Sequence, residues 1–183
     1  MRLAAASDAP AVGLVQAVAW RRLYAGLLPD AVVATFTPDA FAKGWRDSLA
    51  APPPGHRLLV ACAGPQVVGF AAIGPSSDRD AGAGDAELLV LAVHPDARHV
   101  GHGSRLLNAA VDTARGAGFS TVSAWLPPSA PFPLPFLEAS GFAADGASRA
   151  RVVGPDEADL LTEVRLVASI ETPRDPEATS AAD

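Results

Sequence analysis

The sequence predicts an α+β domain, in which helices flank a central mixed α/β sheet. Three features carry this prediction: a helical section near the start, a β-hairpin in the middle, and a strand–loop–helix unit at residues 86–114. The unit opens with the apolar run 88–93, which has the length and β-branched content of a buried strand. Its second half, from residue 104, has apolar residues every three to four positions, as on one face of a helix.

The first fifty or so residues are predicted to be mostly helical after a short strand at residues 2–5. A polar cap at Ser7 and Asp8, followed by a proline, starts a helix that ends near Gly26. Its inward face would carry Val12, Val15, Ala19, Trp20 and Leu23. Residues 27–30 open a second short helix, and Thr37 caps a third, which the prolines near residue 53 end.

The remaining strands are predicted from residue 56 onward. Residues 56–63 and 66–73 are joined by a glycine–proline pair, a connection short enough to require an antiparallel hairpin. Residues 119–126 follow the central helix and would run parallel to the central strand if the crossover is ordinary. Two last strands, at residues 147–153 and 160–170, complete the sheet.

Two connections and the end of the chain are predicted to be irregular. Residues 74–84, rich in Ser, Asp and Gly, form a surface loop. Residues 127–135 contain five prolines and precede a short helical piece at residues 136–140. Residues 1–170 are expected to form a single domain, and the polar residues 171–183 a frayed tail.

Composition excludes several classes of function. With 49% hydrophobic and 19% charged residues in a chain of 183, an ordinary soluble domain is expected. The net charge of -6 argues against a nucleic-acid partner, which favours a basic face. Neither a membrane span nor a signal pattern is evident, so no membrane partner and a cytoplasmic location are expected. The single cysteine, Cys62, is expected to be a small core residue.

A glycine loop follows the central strand. Gly101 and Gly103 permit a tight turn, and the helix that follows points free N–H groups into the loop, an arrangement that binds anions. A dinucleotide fingerprint requires a third glycine or alanine where Leu106 stands, and a P-loop requires a lysine, whereas Lys43 is the sole lysine. No acidic cluster flanks the histidines near the loop, His94, His99 and His102, so no metal site is expected.

Three segments together resemble one family. The pattern Arg98-x-x-Gly101-x-Gly103 after the strand is similar to the acyl-CoA pyrophosphate loop of the GNAT superfamily of N-acetyltransferases. Trp20 with residues 24–30 looks like the first helices of many bacterial members, and residues 136–142 look like the family's F-Y-E-x-x-G-F segment. The resemblance spans nearly the whole chain and implies a GNAT-like fold with acetyl-CoA (coenzyme A) as cofactor.

The resemblance also implies which residues hold the cofactor. The backbone of Leu91, Ala92 and Val93 would pair with the pantetheine arm as another strand does. An N–H near Leu91 would stabilise the oxyanion that forms during transfer. The cofactor-binding loop would consist of Arg98, His99, Val100, Gly101, His102, Gly103 and Ser104. The amides of residues 100–104 would cradle the pyrophosphate, and Arg98 would add a charge-assisted contact or brace the loop.

Glu87 is the candidate general base. It stands eleven residues before Arg98, and several family members carry a general-base glutamate at that spacing. On an apolar strand its pKa would be raised toward neutral by desolvation. The alternative is a solvent-exposed glutamate at the strand end, beside Asp85.

The donor of a proton to the leaving thiolate is the point of departure from the family. The family's tyrosine falls at Leu137, and the asparagine that often precedes it falls at Ala130. Tyr24, the single tyrosine, is the candidate acid; water or a hydroxyl such as Ser129 are the alternatives. By the resemblance, Trp20, Tyr24 and Leu28 would border the acceptor.

The predicted function is transfer of acetyl from acetyl-CoA to a primary amine of a small molecule or peptide, by direct attack in a ternary complex. The alternative is a non-catalytic or weakly catalytic acyl-CoA-binding or sensor protein, which the leucine at position 137 favours. Dimers are common in the family and the C-terminal strands offer an edge that could pair, so a homodimer is one option and the oligomeric state stays open.

Overall fold

The computed structural model of the protein describes residues 1–130, 132–153 and 160–171. The predicted tail therefore lies outside the described residues from position 172 onward. The strands are β1 (Arg2–Leu3), β2 (Arg57–Ala63), β3 (Gln66–Pro75), β4 (Asp85–Val93), β5 (Thr121–Leu126), β6 (Ala143–Val152) and β7 (Leu160–Ser169). The helices are α1 (Ala9–Tyr24), α2 (Asp30–Ala34), α3 (Pro38–Ala50), α4 (His102–Gly116) and α5 (Pro133–Ala139).

One mixed sheet of seven strands runs through the molecule in the order β1-β2-β3-β4-β5-β7-β6. All neighbours pair antiparallel except β4 and β5, which are parallel. The crossover between β4 and β5 is α4, as the strand–loop–helix pattern predicts. The mixed α+β sheet with flanking helices is thereby confirmed.

Helices cover both faces of the central strands. Leu58, Val60 and Phe70 face α1 and α3, whereas the alternate residues Leu59 and Ala71 face α4. Because both faces are covered, β3 is buried almost from end to end, and its sequence is a nearly continuous apolar run. None of the helices in the described part of the chain is long and apolar enough to span a membrane.

The two long N-terminal helices pack closely. A Cβ at Gly13 of α1 would lie 2.6 Å from the Pro38 carbonyl oxygen and from the Ala42 amide nitrogen of α3. Trp45 Nε1 donates a hydrogen bond to Gln16 Oε1 at 2.6 Å across the same contact. The absence of a side chain at Gly13 therefore sets how near α3 lies to α1, the helix that carries Trp20 and Tyr24.

The helix starts are partly as predicted. Thr37 Oγ1 accepts a hydrogen bond from the Ala40 amide at 3.2 Å, which confirms the cap of α3. Asp8 holds the N-cap position of α1, as predicted, but its side chain makes no capping hydrogen bond there. Its carboxylate accepts from the Arg2 guanidinium at 2.6 and 2.8 Å and from the Ala5 amide at 2.7 Å, because it turns back toward β1.

Several predicted boundaries shift by a few residues. The strand predicted at 119–126 begins at Thr121, since the Phe119 amide still bonds to the Ala114 carbonyl at the end of α4. The strand predicted at 147–153 begins at Ala143, because β6 continues along β7 through a register shift. Helix α5 begins at Pro133, inside the segment predicted to be irregular, since proline is well suited to a first helical turn.

Candidate active site

The candidate site lies where β4 and β5 separate. The two strands pair over three residues each, 85–87 with 121–123, and no pairing continues beyond Glu87 and Ser123. A cavity opens between the separated ends, with residues 88–93 on one side and 124–126 on the other. Side chains of α1 and α5 close it, so its walls are mostly apolar.

A bulge in β4 shapes one wall of this cavity. Opposite β3, Ala72 pairs with Val90 and Ile73 with Leu88, so Leu89 is an extra residue without a partner. Leu89 lines the cavity and is 45% exposed. Since β5 has diverged here, the backbone groups of residues 88–93 that face away from β3 are available to an extended ligand.

The glycine loop has the geometry of an anion site. Gly101 has φ +84° and caps α4, and His99 has φ +62°, a left-handed conformation uncommon for a residue with a side chain. Arg105 braces the loop: its Nε donates to the Gly101 carbonyl at 3.1 Å and its Nη2 to the Val100 carbonyl at 2.8 Å. The N–H groups in the first turn of α4, residues 102–104, have no helical partners, as at any helix start.

The residues present fit acyl-CoA. The apolar walls suit a pantetheine arm, and the α4 N-terminus suits its phosphates. Within the described residues, Nδ1 of His102 is a buried polar atom without a hydrogen-bond partner, and it lies in this loop. Arg98 lies at the cavity wall, where its Nε donates to the Val93 carbonyl at 3.3 Å and its guanidinium covers the Phe132 ring at 4.2 Å.

Glu87 lies at the vertex of the gap, as the last residue of β4 that pairs with β5. It is only 6% exposed, which overturns the solvent-exposed alternative. On the neighbouring strand β3, Glu87 pairs with Gly74, where an added Cβ would collide with the His56 ring. The pKa of the Glu87 carboxyl is raised, first by burial and then by the negative charge of Asp78.

A network of charged side chains surrounds Glu87, which sequence reasoning missed. Arg149 Nε donates to Glu163 Oε2 at 2.7 Å, and its guanidinium lies over the Trp125 ring at 4.3 Å. Trp125 Nε1 in turn donates to Asp78 Oδ2 at 3.0 Å. Glu163 is 2% exposed, and the Arg149 guanidinium pairs with its buried carboxylate. The alternation of charged residues along β6 and β7 was the available sequence signal.

Tyr24 and Trp20 both line the cavity, with their ring centroids 5.5 Å apart in an edge-to-face arrangement. Burial, with a smaller contribution from Glu163, raises the pKa of the Tyr24 hydroxyl. Leu137 lies in the same walls and is 3% exposed. Leu28 lies outside the walls, in a small apolar cluster with Tyr24, Val32 and Leu161.

Comparisons with solved structures support the same fold. PaiA N-acetyltransferase from Thermoplasma acidophilum, in complex with coenzyme A, superposes with a TM-score of 0.71 at 16% identity, covering 92% of this chain and 96% of that one. The putative acetyltransferase YncA from Salmonella typhimurium, with acetyl-CoA, gives 0.62 at 21%, covering 97% and 96%. The ribosomal-protein-alanine N-acetyltransferase from Brucella melitensis gives 0.62 at 20%, covering 92% and 98%.

At the level of sequence, a family model matches the chain but no single curated protein does. No curated protein matches the chain significantly. The family model of the acetyltransferase (GNAT) family matches residues 19–142, more than half of the chain, from the second half of α1 to the end of the α5 segment. With the separated strands and the glycine loop in place, this chain belongs to the GNAT family and is an acetyl-CoA-dependent N-acetyltransferase.

Proposed function

We propose that the protein moves the acetyl group to a primary amine of a small molecule or peptide by direct attack in a ternary complex. The observation that carries this proposal is the position of a buried carboxylate, Glu87, at the point where β4 and β5 separate, directly before the residues 88–93 that line the cavity. Acetyl-CoA supplies the thioester, and residues 91–93 and 98–104 would hold it by backbone and loop contacts.

Glu87 would act as the general base. An amine attacks only when it is neutral, so a proton must leave the nitrogen as the C–N bond forms and the C–S bond breaks. The raised pKa of Glu87 brings this carboxyl closer to neutral pH, where a base is most effective. It accepts the proton directly or through a water molecule.

Two other groups would complete the reaction. The Leu91 N–H, in the part of β4 that β5 no longer pairs with, would stabilise the negative charge that develops on the acetyl oxygen. Tyr24 would give its proton to the leaving sulfur. Its raised pKa keeps the hydroxyl protonated at neutral pH, and the rings of Trp20 and Phe36 hold it edge to face.

A steady-state assay of thiol release with acetyl-CoA and a panel of primary amines tests the proposal. We expect Glu87→Gln to lower kcat/KM by about 10²–10⁴-fold. Glu138→Gln, on the exposed side of α5, is the matched control and should leave the rate unchanged. Equal rates for the wild type and Glu87→Gln across pH would remove Glu87 as the base.

A second candidate is an acyl-CoA-binding protein with little or no transfer. Leu137 favours it, because this buried leucine occupies the cavity wall where the family resemblance calls for a tyrosine. The same assay separates the two functions. The binding protein would retain affinity for acetyl-CoA and transfer to no amine at any pH, whereas the enzyme would lose activity in Tyr24→Phe.

A further inference from the structure

His56, Gly74 and Glu87 lie in one row across three neighbouring strands. Gly74 of β3 pairs with Glu87 of β4, and His56 stands directly before β2, opposite Gly74. Leu58 and Ala72, each two positions away on β2 and β3, pack under α1 and α3. Because side chains alternate along a strand and paired residues share a face, the row lies on that same face of the sheet. His56 and Glu87 are thus separated by a strand position that has no side chain.

The imidazole ring fills the space that Gly74 leaves open. A Cβ on Gly74 would lie 2.7 Å from Cγ and 2.8 Å from Nε2 of His56, so the ring lies over the glycine, one strand away from Glu87. Cβ atoms of residues opposite each other on paired strands are about 4.5–5.5 Å apart. The two side chains make no direct hydrogen bond, and at this spacing one water molecule can join Nε2 to the Glu87 carboxylate.

The turn before β2 fixes the position of the ring and of its hydrogen. The His56 amide donates to the Pro53 carbonyl at 3.1 Å, and Gly55 has φ +77°, which lets the chain turn there. His56 Nδ1 lies 3.1 Å from the Pro54 carbonyl oxygen. Since a carbonyl oxygen only accepts, Nδ1 carries the hydrogen, and Nε2 is the nitrogen that can take up a proton. The ring is half-buried, so solvent water reaches it.

The charged groups around Glu87 come from several elements: Asp78 after β3, Arg149 of β6, Glu163 of β7 and His56 before β2. Among the described residues, no side chain or amide donates a hydrogen bond to the Glu87 carboxylate. Its pKa is raised first by burial, and positive charge on His56 lowers it, so these two groups act on each other. Of the residue types present, histidine is the one that takes up and releases protons near neutral pH.

We propose that His56 takes the proton that Glu87 receives from the acceptor amine and passes it to solvent. The inference rests on the proposed function, in which Glu87 is the base. As the C–N bond forms, the amine nitrogen gives its proton to the Glu87 carboxylate. The resulting carboxylic acid gives this proton through water to His56 Nε2, and the imidazolium releases it to bulk water. Glu87 is then ionised again for the next turnover. His56 touches neither substrate nor cofactor and acts through Glu87.

Chemical rescue tests this relay. We expect His56→Gln to lower kcat for amine transfer by about tenfold, less than the loss in Glu87→Gln, because the base is kept and only its regeneration is slowed. Added imidazole should restore the rate in His56→Gln but not in the double variant with Glu87→Gln. The Kd of acetyl-CoA, measured by calorimetry, should be unchanged, since His56 lies outside the cavity walls. Arg57→Gln, at the next position and on the opposite face, is the control and should keep the wild-type rate.

Titration of the Glu87 carboxyl by ¹³C NMR gives a second readout, which requires no turnover. We expect the pKa of Glu87 to rise in His56→Gln, because a positive charge near it is lost, and to stay in place in Arg57→Gln. An unchanged pKa in His56→Gln would overturn the proposal, since the two side chains would then be too far apart to exchange a proton.

Two kinetic outcomes would overturn it as well. A lower kcat in His56→Gln that imidazole does not restore would mean that His56 acts through packing. A wild-type kcat in His56→Gln, while Glu87→Gln is slow, would mean that the proton leaves by another path. Both outcomes leave amine transfer standing, whereas a wild-type protein that acetylates no amine would contradict the proposed function and the relay with it.

Discussion

Glu87 and Asp78 are coupled through charge. The pKa of Glu87 is raised mainly by burial and further by Asp78, which Trp125 and Arg165 hold in place. A base works when it is deprotonated, so kcat/KM should rise as pH rises through the pKa of Glu87. Asp78→Asn removes a negative charge, lowers that pKa, and should shift the acidic limb of the profile to lower pH.

Asp80→Asn is the control for this shift. Asp80 belongs to the same loop and also binds Arg165, at 2.6 Å, but its side chain is 65% exposed and it is not among the charges that raise the pKa of Glu87. The acidic limb should stay in place in this variant. If both substitutions move the limb equally, the cause is the loss of loop anchoring by Arg165 and not the charge of Asp78.

The individual residues differ in how far sequence could predict them. The loop glycines and Arg98 stand in a local pattern whose geometry depends on a few adjacent residues. Their spacing was therefore enough to predict the turn that precedes α4. The network of Asp78, Arg149 and Glu163 was not predicted, because its members come from the loop after β3 and from β6 and β7, which meet only in the folded sheet.

Among the elements, the α1–α3 contact depends on one glycine. A Cβ at Gly13 would lie 2.6 Å from backbone atoms of α3, which cannot move aside as a flexible side chain can. We expect Gly13→Ala to lower the free energy of unfolding by about 1–3 kcal/mol, measured by urea denaturation. Gly44→Ala, in α3 with no atom within 4 Å of the added carbon, should instead raise it by up to about 1 kcal/mol. A loss of stability in Gly44→Ala would contradict the packing explanation.

Elements were predictable where their signal is local. The helices α1, α3 and α4 follow from caps, prolines and apolar periodicity, and the β2–β3 hairpin from its short connection. The bulge at Leu89 and the early start of β6 depend on the register of a partner strand, which no local pattern specifies. The bulge is the feature that turns Leu89 toward the cavity.

The molecule as a whole is divided by the gap in its sheet. Strands β1–β4 form one half and β5–β7 the other, joined by three paired positions between β4 and β5. A ligand arm that pairs with β4 should slow amide hydrogen exchange in residues 88–93 when acetyl-CoA binds. Leu59 and Val60 of β2, which pair with both β1 and β3, serve as the internal reference. Equal protection in both segments would indicate global stabilisation without strand-like pairing.

Because the junction between β4 and β5 is short, the stability of the folded protein should also depend on the concentration of acetyl-CoA. A ligand that binds only the folded chain stabilises it in proportion to the logarithm of its concentration, by about 2.7 kcal/mol at a hundred times its Kd. Here the ligand would extend hydrogen bonding across a junction that the chain alone makes over three positions. The resistance of the protein to unfolding and proteolysis would then rise and fall with the supply of its own acetyl donor.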